Sequence, residues 1–249
     1  MTLGEIVFQA NAWVREHDRV RVAAHRATQP LRRRHLPVLV GPGRGLRLRV
    51  GESTLTRLAS SVEPDVESAF VSLISPGVVV YDIGANIGWF SLLAARRGAR
   101  VIAFEPSPAN ASQVEANAHA NRLSNIQVVR AAVSDHNGWA RFSPDDSLQG
   151  VLRDDGSLLV PVITLDSWVA AGWLPAPDVV KIDVEGSELQ VLDGMKAIMG
   201  GARPRLVLEL HDTGPQVAAA LDGAGYEHAP VEADCATRDA PGWAHILAR

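Results

Sequence analysis

Val78-Val79-Val80-Tyr81-Asp82-Ile83-Gly84-Ala85-Asn86-Ile87-Gly88, continuing through Trp89 to Glu105, is the stretch on which the reading of this chain turns. Val78 to Tyr81 is a short apolar, β-branched run between Pro76-Gly77 and Asp82, the pattern of a strand buried on both faces. Gly84 and Gly88 lack the Cβ atoms that would hold a ligand away from the backbone where strand becomes helix. Trp89 to Arg97 then carries an apolar helix face in Phe90, Leu92, Leu93 and Ala94. Gly98 ends it, and Val101 to Phe104 makes a second strand with Glu105 at its tip.

A carboxylate at the end of the second strand of such a unit is placed to accept hydrogen bonds from ribose hydroxyls. A dinucleotide fold has the first glycine of G-x-G-x-x-G where this chain has Asp82, and it offers a helix N-terminus to pyrophosphate. Asp82 repels a diphosphate and suits a cation, which favours S-adenosylmethionine, with its sulfonium and α-amino group, over NAD. An NAD-linked oxidoreductase and a structural α/β turn without ligand are the competing readings, because glycine-rich turns alone discriminate poorly. The expected cofactor contacts are Asp82, Gly84, Ala85, Asn86 and Gly88 around the methionine part, Glu105 beside Pro106 at the ribose, and Ala132 and Ser134 near the adenine.

The chain has 249 residues, 47% of them hydrophobic, enough for one large α/β domain. A net charge of −4 gives no general affinity for nucleic acid. The first fifty residues nevertheless hold ten arginines against Glu5, Glu16 and Asp18, so a basic arm precedes an acidic body. Cys235, the only cysteine, excludes an internal disulfide and a multi-cysteine zinc site, and reads as a partly buried small apolar residue. No apolar run is long enough to span a bilayer and no signal-peptide core is evident, so a cytoplasmic enzyme is expected.

Residues 3–28 read as a helix, Arg32 to His35 as a solvated basic run, and Leu46, Leu48 and Val50 as a strand alternating with Arg47 and Arg49. Residues 1–61 thus form an extension suited to a lid or a homodimer contact, and 62–249 the main domain. Glu63-Pro64-Asp65 opens a helix through Ile74. A helix from Ala109 to Asn121 and a strand from Ile126 to Val133 follow. Gly138 to Phe142 and Leu158 to Thr164 alternate as an inserted β-hairpin, with loops between, and Leu165 to Ala171 is a short helix. Asp178 to Ile182 is a fourth core strand, then come a helix through Met199, a fifth strand Leu206 to Leu210, and a helix Val217 to Gly225. Tyr226 to Val231 and Ala244 to Ala248 make a closing antiparallel pair.

Four separated segments resemble the FkbM-type branch of the S-adenosylmethionine-dependent methyltransferases: Val80 to Gly88, Ala103-Phe104-Glu105-Pro106, Thr164-Leu165-Asp166, and Lys181-Ile182-Asp183-Val184-Glu185-Gly186 with Glu188. They cover roughly residues 62 to 211. The resemblance implies a Rossmann-like class I α/β fold with a seven-stranded, mostly parallel sheet whose last strand is antiparallel. It also implies methyl transfer to a hydroxyl of a sugar or polyketide-like small-molecule acceptor.

Such transfer is an in-line displacement in which the acceptor hydroxyl must lose a proton. Asp183, Glu185, Glu209 and His211 fall near the ends of the fourth and fifth strands. His211 is the expected general base, chosen for a pKa near neutrality, with Asp183 and Glu185 beside it. Asp183, Glu185 and Glu209 are alternatively ligands for Mg²⁺. A methyltransferase-like module that binds without catalysis is the third reading, in which these carboxylates are bystanders.

Overall fold

The structure, a computed structural model, describes residues 34–51, 54–59, 61–144, 150–153 and 155–249. The helix expected over 3–28 and most of the basic run lie outside them. A hairpin of β1 (His35–Pro37) and β2 (Arg47–Arg49) leads to α1 (Thr54–Ala59) and α2 (Pro64–Ser72). The α/β alternation then runs β3 (Val79–Ile83), α3 (Trp89–Arg96), β4 (Arg100–Phe104), α4 (Pro108–Ala120) and β5 (Ile126–Val129). After the insertion β6 (Ala132–Val133), β7 (Gly138–Pro144), β8 (Gly150–Leu152) and β9 (Leu158–Ile163) come α5 (Leu165–Ala170), β10 (Val179–Ile182), α6 (Glu188–Asp193) and α7 (Lys196–Gly200). β11 (Arg205–Glu209), α8 (Gly214–Gly223), β12 (His228–Pro230) and β13 (His245–Ala248) complete the chain.

The main sheet has seven strands in the order β12-β13-β11-β10-β3-β4-β5. The pairs from β11 to β5 are parallel, and β13 is antiparallel to both its neighbours, as the resemblance implied. Alternation along each strand assigns the two faces. Val80, Val101, Val179 and Val207 pack with Phe70, Phe90 and Leu92, whereas Tyr81, Ile102, Val180 and Leu206 pack with Val191, Met195 and Leu221. The result is a sheet covered by helices on both sides.

The hairpin β1–β2 shares the first of these cores through Val38, Leu46, Leu48 and Val50. Its edge is also clamped to the end of α4: Arg47 N donates to Asn121 Oδ1 at 2.7 Å and Arg49 N to Asn117 Oδ1 at 2.8 Å.

Four expectations need correction. The strand expected over 126–133 is broken, because Ala131 N turns back to Val129 O at 3.0 Å and Ala132–Val133 then join β9 instead of the main sheet. The expected hairpin, β7 with β9, is accordingly the centre of a four-stranded sheet, β6-β9-β7-β8. The helix expected through Met199 is two helices, since a Cβ on Gly194 would meet Ser134 O at 2.0 Å and the Asp166 carboxylate accepts from Ala197 N and Ile198 N at the start of α7. Cys235 is exposed, not partly buried.

Candidate active site

β4, β3, β10 and β11 are consecutive and parallel, so the loops that leave their carboxyl ends share one edge of the sheet. The glycine turn after β3 is tied to both neighbours. Phe104 O accepts from Gly84 N and Ala85 N, each at 3.0 Å, and Asp183 N donates to Ile83 O at 3.0 Å. A Cβ on Gly84 (φ +76°) would lie 1.8 Å from the Asp183 carbonyl oxygen. Glycine is therefore required there by the neighbouring strand, whatever else the turn approaches.

Asn86 stands at φ +53° and turns its N–H to Glu105 Oε2 at 2.8 Å, while Ser107 N donates to Glu105 Oε1 at 2.8 Å. Burial, only partly offset by these two bonds, pushes the Glu105 carboxyl up to about 7. Pro106 is half-buried beside it, and Ala132 and Ser134 are buried after β5. Gly88 (φ +84°) caps α3, and its missing Cβ makes room for Val114.

Asp82 lies inside the protein, 1% exposed, accepting from Ser91 Oγ at 2.5 Å. Burial raises its pKa against the pull of Lys181. Lys181, itself buried, places Nζ 2.6 Å from Asp183 Oδ2 and 4.7 Å from the centre of the Phe90 ring. Burial opposes charge on both partners, but their mutual attraction prevails, holding Asp183 below the usual carboxylate range and Lys181 above its own.

The second group gathers around His211, at the tip of β11. Its Nδ1 is 2.8 Å from Glu188 Oε1, and its Nε2 is 3.2 Å from Glu185 Oε2 and 3.9 Å from Glu209 Oε1. Glu188 is fully buried and pinned further by Gly186 N at 2.8 Å and Thr213 Oγ1 at 3.0 Å. Burial alone would lower the His211 pKa; hydrogen bonds and charge from Glu185 and Glu188 outweigh it and raise the value to about 10. The expectation of a histidine titrating near neutrality is thus not met, because two carboxylates bracket the ring.

Asp183, Glu209 and His211 can each offer a ligand atom within 4.8 Å of the others, and Glu185, expected with Asp183 and Glu209, turns to His211 instead. Magnesium takes oxygen ligands and keeps several waters. An imidazole held between glutamates and an aspartate oxygen already bound by an ammonium are a poor match, so no step below is routed through that ion.

The sheet order and these two groups of side chains coincide with a family match. The Methyltransferase FkbM domain matches residues 82–231. The chain belongs to the FkbM methyltransferase family. Within it, the chain is 30% identical over 152 residues to the hexuronic acid methyltransferase AglP of Haloferax volcanii, covering 60% of this chain and 62% of that protein. It is 31% identical over 193 residues to the 31-O-demethyl-FK506 methyltransferase FkbM of Streptomyces tacrolimicus, covering 61% and 74%. With the 2-O-methyltransferase NoeI of Sinorhizobium fredii it shares 29% identity over 181 residues, covering 63% and 73%. The first of these relatives is therefore matched over less than two thirds of its length.

Glu105 is bonded to Asn86 beside the Gly84 turn with Asp82 held beneath by Ser91, and His211 pairs with Glu185 and lies near Glu209, with a ligand atom of Asp183 within 4.8 Å of both Glu209 and His211. Sequence reasoning gave no role to Lys181 or Ser91, and Glu188 entered it as part of the motif that carries the resemblance. A lysine inside the apolar run Val179-Val180-Lys181-Ile182 is the signal that was available, since a buried ammonium needs a buried partner. No helix among the described residues is long and apolar enough to cross a membrane.

Proposed function

We propose that this FkbM-family protein is an S-adenosylmethionine-dependent O-methyltransferase acting on a hydroxyl of a sugar, glycoside or related natural product. The observation that carries the reading is the presence of two differently built carboxylate groups on one sheet edge: Glu105 pinned under the glycine turn, and His211 bracketed by Glu185 and Glu188 three strands away. S-adenosylmethionine, when bound, supplies a methyl group activated by its sulfonium. Asn86 N and Ser107 N each occupy one position on Glu105, which leaves carboxylate lone pairs to accept from the hydroxyls of a ribose. Asp82 contributes from inside, by fixing Ser91 and the start of α3 and adding negative charge beneath the turn.

The acceptor oxygen must shed its proton as it becomes an ether, and a positioned base carries it off. We assign that role to His211, with Glu185 and Glu188 holding the ring and Asp183 held in place by Lys181. His211 carries a proton at neutral pH and becomes a base only after losing it, so the rate of transfer rises with pH towards about 10. The names of the similar proteins, which specify a hexuronic acid, a 2-O position and 31-O-demethyl-FK506, support hydroxylated small molecules as acceptors. Trp139, Trp168 and Trp173 line a groove of about 400 Å³ on the inserted sheet, a surface suited to stacking on a sugar ring.

Calorimetry with S-adenosylhomocysteine and with NAD separates this reading from an oxidoreductase: one-to-one binding of the former and none of the latter is expected, and the reverse overturns it. A panel of uronic acids, glycosides and macrolide alcohols, read by mass spectrometry for an added methyl group, tests the acceptor class. His211→Gln should keep cofactor binding and lower turnover by roughly 10² to 10⁴. Binding without transfer to any acceptor would favour a non-catalytic module.

A further inference from the structure

We propose that Glu63, Glu209 and His245 form a binding site for one divalent transition-metal ion of the Zn²⁺ or Mn²⁺ type. The site lies on the opposite side of the Glu209 carboxylate from His211. It does not depend on the methyl-transfer reading.

The antiparallel register of β11 with β13 sets Glu209 directly opposite His245. His245 is 3% exposed, and Glu232 fixes its ring, accepting from the His245 backbone N at 3.0 Å and approaching Nδ1 at 2.6 Å. A carboxylate on Nδ1 orients the ring so that Nε2 faces Glu209, the arrangement that outer partners impose on metal-binding histidines. Nε2 is buried and makes no hydrogen bond among the described residues; Glu209 Oε2, its ion-pair neighbour, is 3.4 Å away without hydrogen-bond geometry. Glu63 comes from the start of α2, where its side chain caps no helix N–H and has Arg57 as an ion-pair neighbour.

Each of the three offers a ligand atom within 4.8 Å of the others. Ligand atoms around a bound zinc ion stand about 3–4 Å apart, so small rotations close the set. Three cations are near, and each has other partners: Lys181 is 2.6 Å from Asp183; Arg57, 3.8 Å from Glu63, is 3.6 Å from the buried Glu67; and His211, 3.9 Å from Glu209, is held by Glu185 and Glu188. Glu63, Glu209 and Glu232 together put negative charge around His245; against the effect of burial, Glu209 and Glu63 raise its pKa, so a metal ion binding at Nε2 displaces a proton from the ring. One imidazole nitrogen with carboxylate oxygens selects zinc or manganese over calcium and magnesium. The bound ion would tie α2 to the β11–β13 edge and hold Glu209 in place.

The test uses the full-length chain stripped of metal, titrated with Zn²⁺ by calorimetry and with Mn²⁺ by electron paramagnetic resonance. We expect one tight Zn²⁺ per chain, X-ray absorption showing a single imidazole, and weakening by about 10- to 100-fold in Glu232→Gln, the usual effect of losing an outer partner. His245→Gln and Glu63→Gln should weaken Zn²⁺ at least as much. Glu63 is part-exposed, so its variant keeps the proposal testable should the His245 variant fail to fold. Asp183→Asn should leave affinity unchanged. Absence of Zn²⁺ binding, unchanged affinity in Glu63→Gln, or loss in Asp183→Asn with none in Glu63→Gln would overturn the assignment.

Discussion

The Nδ1 atom of His211 lies 2.8 Å from the carboxylate of Glu188, which is wholly buried. That pairing, with Glu185 on the other nitrogen, raises the His211 pKa from 6.5 to about 10. A raised folded-state value means stability that is fully present below pH 6.5 and is lost as pH climbs through about 10. Histidine ring NMR should therefore show His211 still protonated at pH 8, and Glu188→Gln should bring its titration back toward the ordinary range. Titration of His211 near 6.5 in the unaltered protein would remove the basis for this pairing.

Gly84 and Gly186 both have positive φ, but only Gly84 is crowded, with the Asp183 carbonyl 1.8 Å from the position of its absent Cβ. Gly186→Ala should cost about 1–2 kcal/mol, the usual penalty for the left-handed conformation. Gly84→Ala must also push β10 away from β3, and should cost clearly more, accompanied by loss of S-adenosylhomocysteine binding. Urea denaturation of the two variants compares them directly.

Lys181 is the counter-charge for both Asp82 and Asp183. Lys181→Met keeps the apolar stem and deletes the ammonium, leaving the buried Asp82 and the part-exposed Asp183 without their cation. We expect a loss of about 3–5 kcal/mol, the usual outcome of breaking a buried pair from one side. The double variant Lys181→Met with Asp183→Asn should recover part of it.

Glu105→Gln preserves shape and removes charge. Cofactor affinity should fall by about 1.5–3 kcal/mol, the range for hydrogen bonds to a charged group. In the unaltered protein, affinity should drop as pH falls through about 7, where Glu105 takes up a proton. Isothermal calorimetry across that range reads both effects, and a flat profile would argue against Glu105 as a ribose partner.

Trp139 is 65% exposed, so Trp139→Ala should leave the unfolding midpoint nearly unchanged. If the aromatic groove holds the acceptor, the variant raises the acceptor KM several-fold and spares cofactor affinity. An unchanged KM would place the acceptor elsewhere.

By itself the sequence determined the α/β alternation, the strand ends that carry the site, and the family. These are local or nearly local properties: a β-branched run between turn residues, an apolar helix face, a glycine pair at a strand exit, and an acidic residue at each following tip. Tertiary structure alone decided what those residues do to one another. That Gly84 answers to Asp183, Asp82 to Ser91 and Lys181, and His211 to Glu185 and Glu188 depends on placing β3, β10 and β11 side by side. The pairing of His245 with Glu209 and Glu232 needs the antiparallel return of β13, a register no short-range pattern encodes. A pKa responds to burial and charge within a few ångströms in space, and those neighbours lie 9 to 99 residues away along the chain, so the chemistry of each acid and histidine was set only once the sheet closed.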